Sequence, residues 1–563
     1  MDSQNNIILP RPSTEVMRLK QLGSTFQTRL SFMRRLVRQM HIENWKIVCS
    51  NFSLDDKGYG TAVYSVRTLN NIYSLICFSH YLDPQSRTDR VIAENWDSTF
   101  TLFDGVPTEK DIKRLYHQTT KQESGRFNAT DLVLSRANKS LRLFDHVVKS
   151  LASGQQPDPH YLNSVGYLMR TTAVYANGKF GLADRSLYAS RPELTPPYQV
   201  EMLTVYLIRE FSLDLVNHLA NCATPNKAAK LDRKLKRYLG MGNATGLGMA
   251  PFLVHHPLLI HKWFESKEIA FSRVRSIPKA SSTKIDYFIK ILSRSYQHLC
   301  EWNIEDKQQK NKILVMQKEL ALLIQSFSDN NLLLNGSFPW NSLYEKVKSS
   351  WSVEGTELLV ALILEPYPEI VDELGDSLHY QQNAIFNPAQ TTSDLLIIVE
   401  QQYNWALEIN FDDSTESQYF WYYSEEKNEP RRGNRYTEDG VDNEMKITVA
   451  RDIYRLRKAL KSFNNNLILS EFLMHYPDLR HICRRVQLLM THPYAEIQDN
   501  IISVHCEPID ILRGKLAFFG ASKFDPKSDL WTRITLCQGA PLRDELSDQH
   551  ADDWCFPITP VIA

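Results

Sequence analysis

The stretch from Asn44 to Leu82, "NWKIVCSNFSLDDKGYGTAVYSVRTLNNIYSLICFSHYL", decides the fold class. Three runs rich in β-branched and aromatic residues are separated by Asp-Asp-Lys-Gly and Leu-Asn-Asn. Turn residues between such runs predict an antiparallel meander held by cross-strand pairs. The chain therefore opens on β structure, after a helix predicted around "TRLSFMRRLVRQMHI".

Beyond Asp83-Pro84 the periodicity turns helical. "TDLVLSRANKSLRLFDHVVKSLA" repeats apolar residues at helical spacing, and "GQQPDP" ends it. From Pro159 to about Gln325 the pattern predicts helix almost throughout. Val200 to Ala220 is apolar on nearly every side, as a helix inside a large core is. Thr283 to Trp302 and Lys310 to Phe327 read as two long amphipathic helices. In the last third, "SDLLIIVEQQYNWALEINFDD" and "ESQYFWYYSEE" read as strands, "KITVARDIYRLRKALKSF" as a helix, and "GKLAFFGASKFDPKSDLWTRITLCQGAP" as strand-turn-strand. The sum is a predominantly α-helical α+β fold, with a helical centre flanked by N-terminal and C-terminal antiparallel β segments. Proline-containing breaks suggest regions 1–155, 156–330 and 331–563. Asp-Pro-x-Ser recurs at Asp83 and Asp525 after an apolar strand. A duplicated β unit would explain that recurrence, and so would the ordinary preference of Asp-Pro for turns.

Composition narrows the functional classes. Of 563 residues, 43% are hydrophobic, which suits a globular chain of several domains. Lys+Arg and Asp+Glu both number 65, so net charge offers no footprint for nucleic acid. Eight scattered cysteines without a C-x-x-C pair predict reduced thiols, hence a cytoplasmic protein without a zinc site. The first residues lack the basic and apolar regions of a secretory signal, and the longest apolar run, Leu358 to Leu364, is too short to span a membrane. The expected partners are a small-molecule ligand and, through exposed strands or helix stripes, further copies in a homo-oligomer. Nucleic acid and membrane are not expected.

Three polar clusters are candidates for chemistry. The first is "GMGNATGLGMAPF", Gly240 to Phe252. Gly242 and Gly246 free the backbone to approach an anion, Asn243 and Thr245 add donors, and His255 follows as an acid-base group. The competing explanation is a helix C-cap and a close helix crossing. No strand is predicted before it and no Gly-Lys-Ser/Thr follows, which excludes the common nucleotide-binding fingerprints. The second cluster is "RTTAVYANGKFGLADR". Here Arg170, Asn177, Asp184 and Arg185 suit substrate binding, and Lys179, on a break in the helix pattern, suits a base or a fixed charge. The third follows the aromatic strand "YFWYY": Glu429 as a proton carrier, with Arg431 and Arg432 as a carboxylate or phosphate clamp on a loop.

No local histidine or cysteine spacing asks for a metal, and no linear motif names a cofactor. These clusters point to a soluble enzyme acting on a small carboxylate- or phosphate-bearing substrate in a cleft of the helical core. The alternative is a non-enzymatic scaffold that presents its amphipathic helices to partners.

Overall fold

In a computed structural model of the chain, the turns of the opening stretch behave as their residues demand. The Asp55 carboxylate accepts from the amides of Lys57 (3.0 Å) and Tyr59 (2.7 Å), and Gly58 takes φ +78°. Three strands follow from these turns: β1 (Lys46–Leu54), β2 (Gly60–Arg67) and β3 (Ile72–Ser79). They pair antiparallel in the register Lys46↔Arg67 and Arg67↔Ile72, with a bulge in β1 between Cys49 and Asn51. The meander predicted from the sequence is present.

The structure describes residues 7–86, 95–119, 128–173, 190–246, 256–329, 334–378, 386–413, 421–424, 429–432, 444–446, 449–463, 467–498, 510–527, 531–549 and 551–562. With 53% helix and 14% strand it is predominantly helical α+β. The chain forms two compact units. One draws on Phe26–Thr245, Ile277–Asp376 and Lys515–Ala563, the other on Met1–Thr25, Gly246–Ser276 and Ser377–Gly514.

The larger unit is built on a nine-stranded sheet. The meander continues into β4 (Ser98–Asp104), β5 (Asp131–Lys139) and β6 (Tyr167–Thr171), all antiparallel. Beyond them come β7 (Gly240–Gly246), then the C-terminal hairpin, in the order β1-β2-β3-β4-β5-β6-β7-β12-β11 with β11 at Lys523–Pro526 and β12 at Trp531–Leu536. The expected run of helix from Pro159 to Gln325 is thus broken twice, by β6 and β7. Five or seven residues flanked by helix carry too short a pattern to announce a strand. The recurrence of Asp-Pro-x-Ser has no structural echo: Pro84–Ser86 is a 3-10 turn capped by Asp83, whereas Asp525 and Pro526 lie inside β11.

Against β3, β5 and β6 packs the 25-residue helix Gln199–Ala223, buried around most of its circumference. One of its buried charges, Arg209, is an anchor. Arg209 spreads its guanidinium over five carbonyl oxygens, of Leu239, Pro541, Lys236, Arg237 and Ala540, at 2.7–3.2 Å. The orphan carbonyls at the end of the short helix Arg233–Tyr238 and the C-terminal segment are tied to the core by one side chain. The predicted amphipathic pair is also present, as Ser282–Glu301 packed on Lys307–Asp329.

The smaller unit is a helical cluster around Leu395, Val399, Tyr403, Ile453, Leu456, Ile482 and Val486. It carries the three-stranded antiparallel sheet β10-β8-β9, formed by β8 (Trp421–Ser424), β9 (Glu429–Arg432) and β10 (Glu444–Lys446). "SDLLIIVEQQ" is the helix Thr392–Gln402 rather than a strand. Thr391 caps it by accepting from the Asp394 amide at 3.1 Å while donating to the Asp394 carboxylate at 2.7 Å. Leu395, Ile398 and Val399 form its buried side, a helical spacing that the β-branched content disguised.

Candidate functional site

The Gly-rich stretch is neither a corner nor a loop over an anion through its first seven residues: it is a central strand. The β6 and β7 strands run parallel, with Tyr167 opposite Gly240 and Arg170 opposite Gly242. Glycine is required here by crowding. A Cβ on Gly242 would stand 2.6 Å from both Arg170 Cγ and Tyr167 Cε2, and one on Gly240 would overlap the Leu536 carbonyl and lie 2.8 Å from Thr535 Cγ2. The missing side chains let β7 close against β6 and β12.

This pairing joins two of the sequence clusters. Arg170 is 6% exposed, and its aliphatic stem lies over Gly242. Across the sheet Arg170 faces Asn138, whose Oδ1 accepts from the Asp97 amide at 2.8 Å. The Asp97 carboxylate in turn accepts from the Lys139 amide at 3.0 Å. Thr171 accepts or donates at 2.9 Å with Ser135 through the hydroxyls and donates to the Arg136 carbonyl at 3.1 Å. One residue beyond Gly242, fully buried Asn243 donates from Nδ2 to the Thr171 carbonyl at 2.9 Å. Its Oδ1 is buried with no partner among the described residues. Asn243 therefore differs from its expected role as a donor to an anion: the atom left over is an acceptor, suited to an N–H or O–H group.

Because the strands are parallel, the chain leaves both at the same end of the sheet. Thr245 and Gly246 are the last positions of β7. Asn177, Lys179, Asp184, Arg185 and His255 lie outside the described residues. Glu429, Arg431 and Arg432 are placed on β9 of the smaller unit, opposite Ser424, Tyr422 and Trp421, on a strand rather than on a loop beyond it.

Two buried polar clusters had no signal in the sequence, since their members meet only in space. Lys523 on β11 lies against the side-chain oxygen of Asn163 and 3.4 Å from the Tyr238 hydroxyl, which itself donates to Asn163 at 2.6 Å. Burial lowers the Lys523 ammonium to about 8, against a small opposing influence of Glu301. Next to it, His298 has the carbonyls of Pro557 (2.6 Å) and Ser522 (3.1 Å) at its two ring nitrogens. Burial, then Lys523, pulls it down to about 4, so at neutral pH the ring donates to one carbonyl only. Acceptors from the fold itself surround Lys523, which makes this a clamp between β11 and its neighbours.

In the second cluster, Tyr64 and Arg543 both donate to Asp214 at 2.7 Å beside Glu210. Burial pushes the Glu210 carboxyl up to about 7, against Arg209 and Arg543, and its Oε1 has no hydrogen-bond partner among the described residues.

Among the described residues no three His, Cys, Asp or Glu side chains converge to hold a metal, and no helix is long and apolar enough to cross a membrane. No family model, curated protein or solved structure matches the chain. The fold is a two-unit α+β protein whose larger unit carries a buried row of polar side chains, Asp97, Asn138 and Arg170 among them.

Proposed function

We propose that the protein is an enzyme acting on a small anionic substrate held at the carboxyl-terminal end of the β6–β7 pair. The observation that carries this reading is the pairing of Arg170 with Gly242 on adjacent parallel strands, with a buried acceptor, Asn243 Oδ1, one residue further along β7 and unmatched among the described residues. Ligands of α/β sheets favour the carboxyl ends of parallel strands, where loops diverge and few strong polar groups converge. In this reading Arg170 holds a carboxylate or phosphate group and Asn243 accepts from a substrate hydroxyl or amine. Lys179, eight positions beyond Thr171, supplies the base. The site lies on the sheet, beside the long buried helix, and not within a purely helical core.

Native mass spectrometry of gently purified protein tests the proposal. A retained small molecule is expected on the wild type and lost from Arg170→Met and Asn243→Ala with secondary structure unchanged. Retention by both folded variants refutes the site. A wild-type chain that carries nothing and forms a discrete oligomer favours the assembly alternative.

A further inference from the structure

The nine-stranded sheet has two edges, β1 and β11, and they differ. β11 is four residues long and contains Pro526, which has no N–H to offer a further strand. β1 is nine residues long, and beyond β2 its backbone bonds to no other segment among the described residues. Lys46, Val48, Ser50, Asn51 and Ser53 are exposed, Val48 at 56%. Ile47 is buried, and Cys49, Phe52 and Leu54 are half-buried, with the Phe52 ring 5.4 Å from that of His218 on the long helix.

This order of exposed and covered residues reads almost alike from either end of the strand. The bulge between Cys49 and Asn51 is the cause, because it sets two exposed residues, Ser50 and Asn51, side by side and reverses the alternation beyond them. An antiparallel copy laid along the free edge with Ser50 opposite Asn51 pairs like with like. Ile47 meets Leu54, Cys49 meets Phe52 and Val48 meets Ser53, each twice about a twofold axis. A shift of one residue sets covered residues against exposed ones, and a shift of two leaves Asn51 against Phe52 or Ser50 against Cys49. Charge agrees with the same register. It places Lys46 opposite Asp55, whose turn amides both fall on Oδ1 and leave Oδ2 available to the ammonium. Lysine on an edge strand ordinarily guards against pairing, but here the second copy supplies the carboxylate that receives it.

We infer that β1 pairs antiparallel with β1 of a second copy of the chain, Ser50 opposite Asn51, and joins two sheets across a twofold axis. The unpaired N–H and C=O groups along the edge supply the bonds, and the matched faces and the two Lys46–Asp55 pairs select the register. One nine-residue strand from each copy makes a small interface, so the dimer forms and dissociates with concentration. The pairing is independent of the β6–β7 reading and does not use its residues.

Sedimentation velocity of the full chain from about 1 to about 100 µM tests the inference. A monomer–dimer equilibrium is expected. Lys46→Glu sets like charges opposite each other twice and should weaken the dimer about tenfold, whereas Lys46→Arg should keep it. The register is read by mixing Val48→Cys with Ser53→Cys in oxidised glutathione. Directly opposite residues lie about 4.5–5.5 Å apart at Cα, within disulfide reach. A covalent dimer of the two variants is expected, formed faster than by either variant or the wild type alone. A chain that stays monomeric throughout overturns the inference, as does a dimer indifferent to Lys46→Glu, which places the interface elsewhere. Crosslinking no faster in the mixture overturns the register. Should Lys46→Glu fail to fold, the cysteine mixture decides, since both of its positions are exposed, and crosslinking no faster than in the controls then overturns the pairing itself.

Discussion

Replacing Gly242 by alanine tests whether the Gly-rich stretch is a packed strand or a loop. The added Cβ would lie 2.6 Å from Arg170 Cγ and from Tyr167 Cε2, and 2.7 Å from Tyr167 Cδ2. Carbon atoms prefer about 3.5–4.0 Å, so three contacts are each about 1 Å too close. Tyr167 is 4% exposed and Arg170 is 6% exposed, and neither side chain has open solvent to swing into. Overpacking of this kind costs about 1–3 kcal/mol, and the upper half of that range is expected. Gly240→Ala should cost at least as much, because the Leu536 carbonyl it would meet belongs to backbone and cannot rotate away. Gly336→Ala is the control: no described residue lies within 4 Å of its added Cβ, and about 0.5 kcal/mol or less is expected. Urea unfolding with hydrogen exchange at the amides of β6, β7 and β12 reads the effect in the right unit. If Gly240→Ala and Gly242→Ala are as mild as Gly336→Ala, the stretch is not a close-packed strand and the site built on it fails.

Two further outcomes follow from the buried charges of the long helix. Arg209→Met strips five carbonyl oxygens of their donor at once and should destabilise the larger unit by about 3–5 kcal/mol in urea unfolding, with the C-terminal segment exchanging first. Glu210 sets a pH dependence. Its folded value is raised from 4.5 to about 7, so between those values the folded chain binds the extra proton and stability falls as pH rises, levelling above about 7. Glu210→Gln should remove that fall, gaining up to about 3 kcal/mol over the wild type at pH 8 relative to pH 4.5. His298 slopes the other way below 6.5 in both proteins and cancels in the difference. A constant offset between the two proteins from pH 5 to 8 would contradict the Glu210 assignment.

The parts of the fold that could be read from sequence are those whose pattern repeats over enough residues. The meander from Lys46 to Ser79 announces itself through three strands and two turns, and the helix at Gln199–Ala223 through seven turns without a polar face. What escaped was short or ambiguous, except that the helix expected over "TDLVLSRANKSLRLFDHVVKSLA" is helical only at Phe144–Ala152, while Asp131–Lys139 is the nine-residue strand β5. Tyr167–Thr171 is five residues buried on both faces, so it lacks the alternation that marks a half-buried strand. Gly240–Gly246 has almost no side chains from which to read a period, and glycine is a poor strand former unless neighbours demand closeness. That demand comes from Tyr167, Arg170, Thr535 and Gln538, residues far away in the chain. Thr392–Gln402 failed for the opposite reason: Leu-Leu-Ile-Ile-Val satisfies strand and helix alike, and the deciding signal was the Thr391–Asp394 cap.

The same asymmetry explains why the candidate site was half visible. Arg170 and Gly242 were each singled out for local reasons, the first for a density of polar groups beside an apolar run, the second for backbone freedom. Neither reason contains the other residue. Only a parallel pairing, with the long helix Gln199–Ala223 and the short helix Arg233–Tyr238 in the connection between the strands, puts them side by side. In an antiparallel pair the segments after β6 and β7 would have left from opposite ends of the sheet. Parallel order is therefore the structural feature on which the proposed chemistry depends. The glycines permit that order by allowing β7 to lie within contact of the Arg170 stem. The freedom that resembled a place for an anion is used to bring a cation into position.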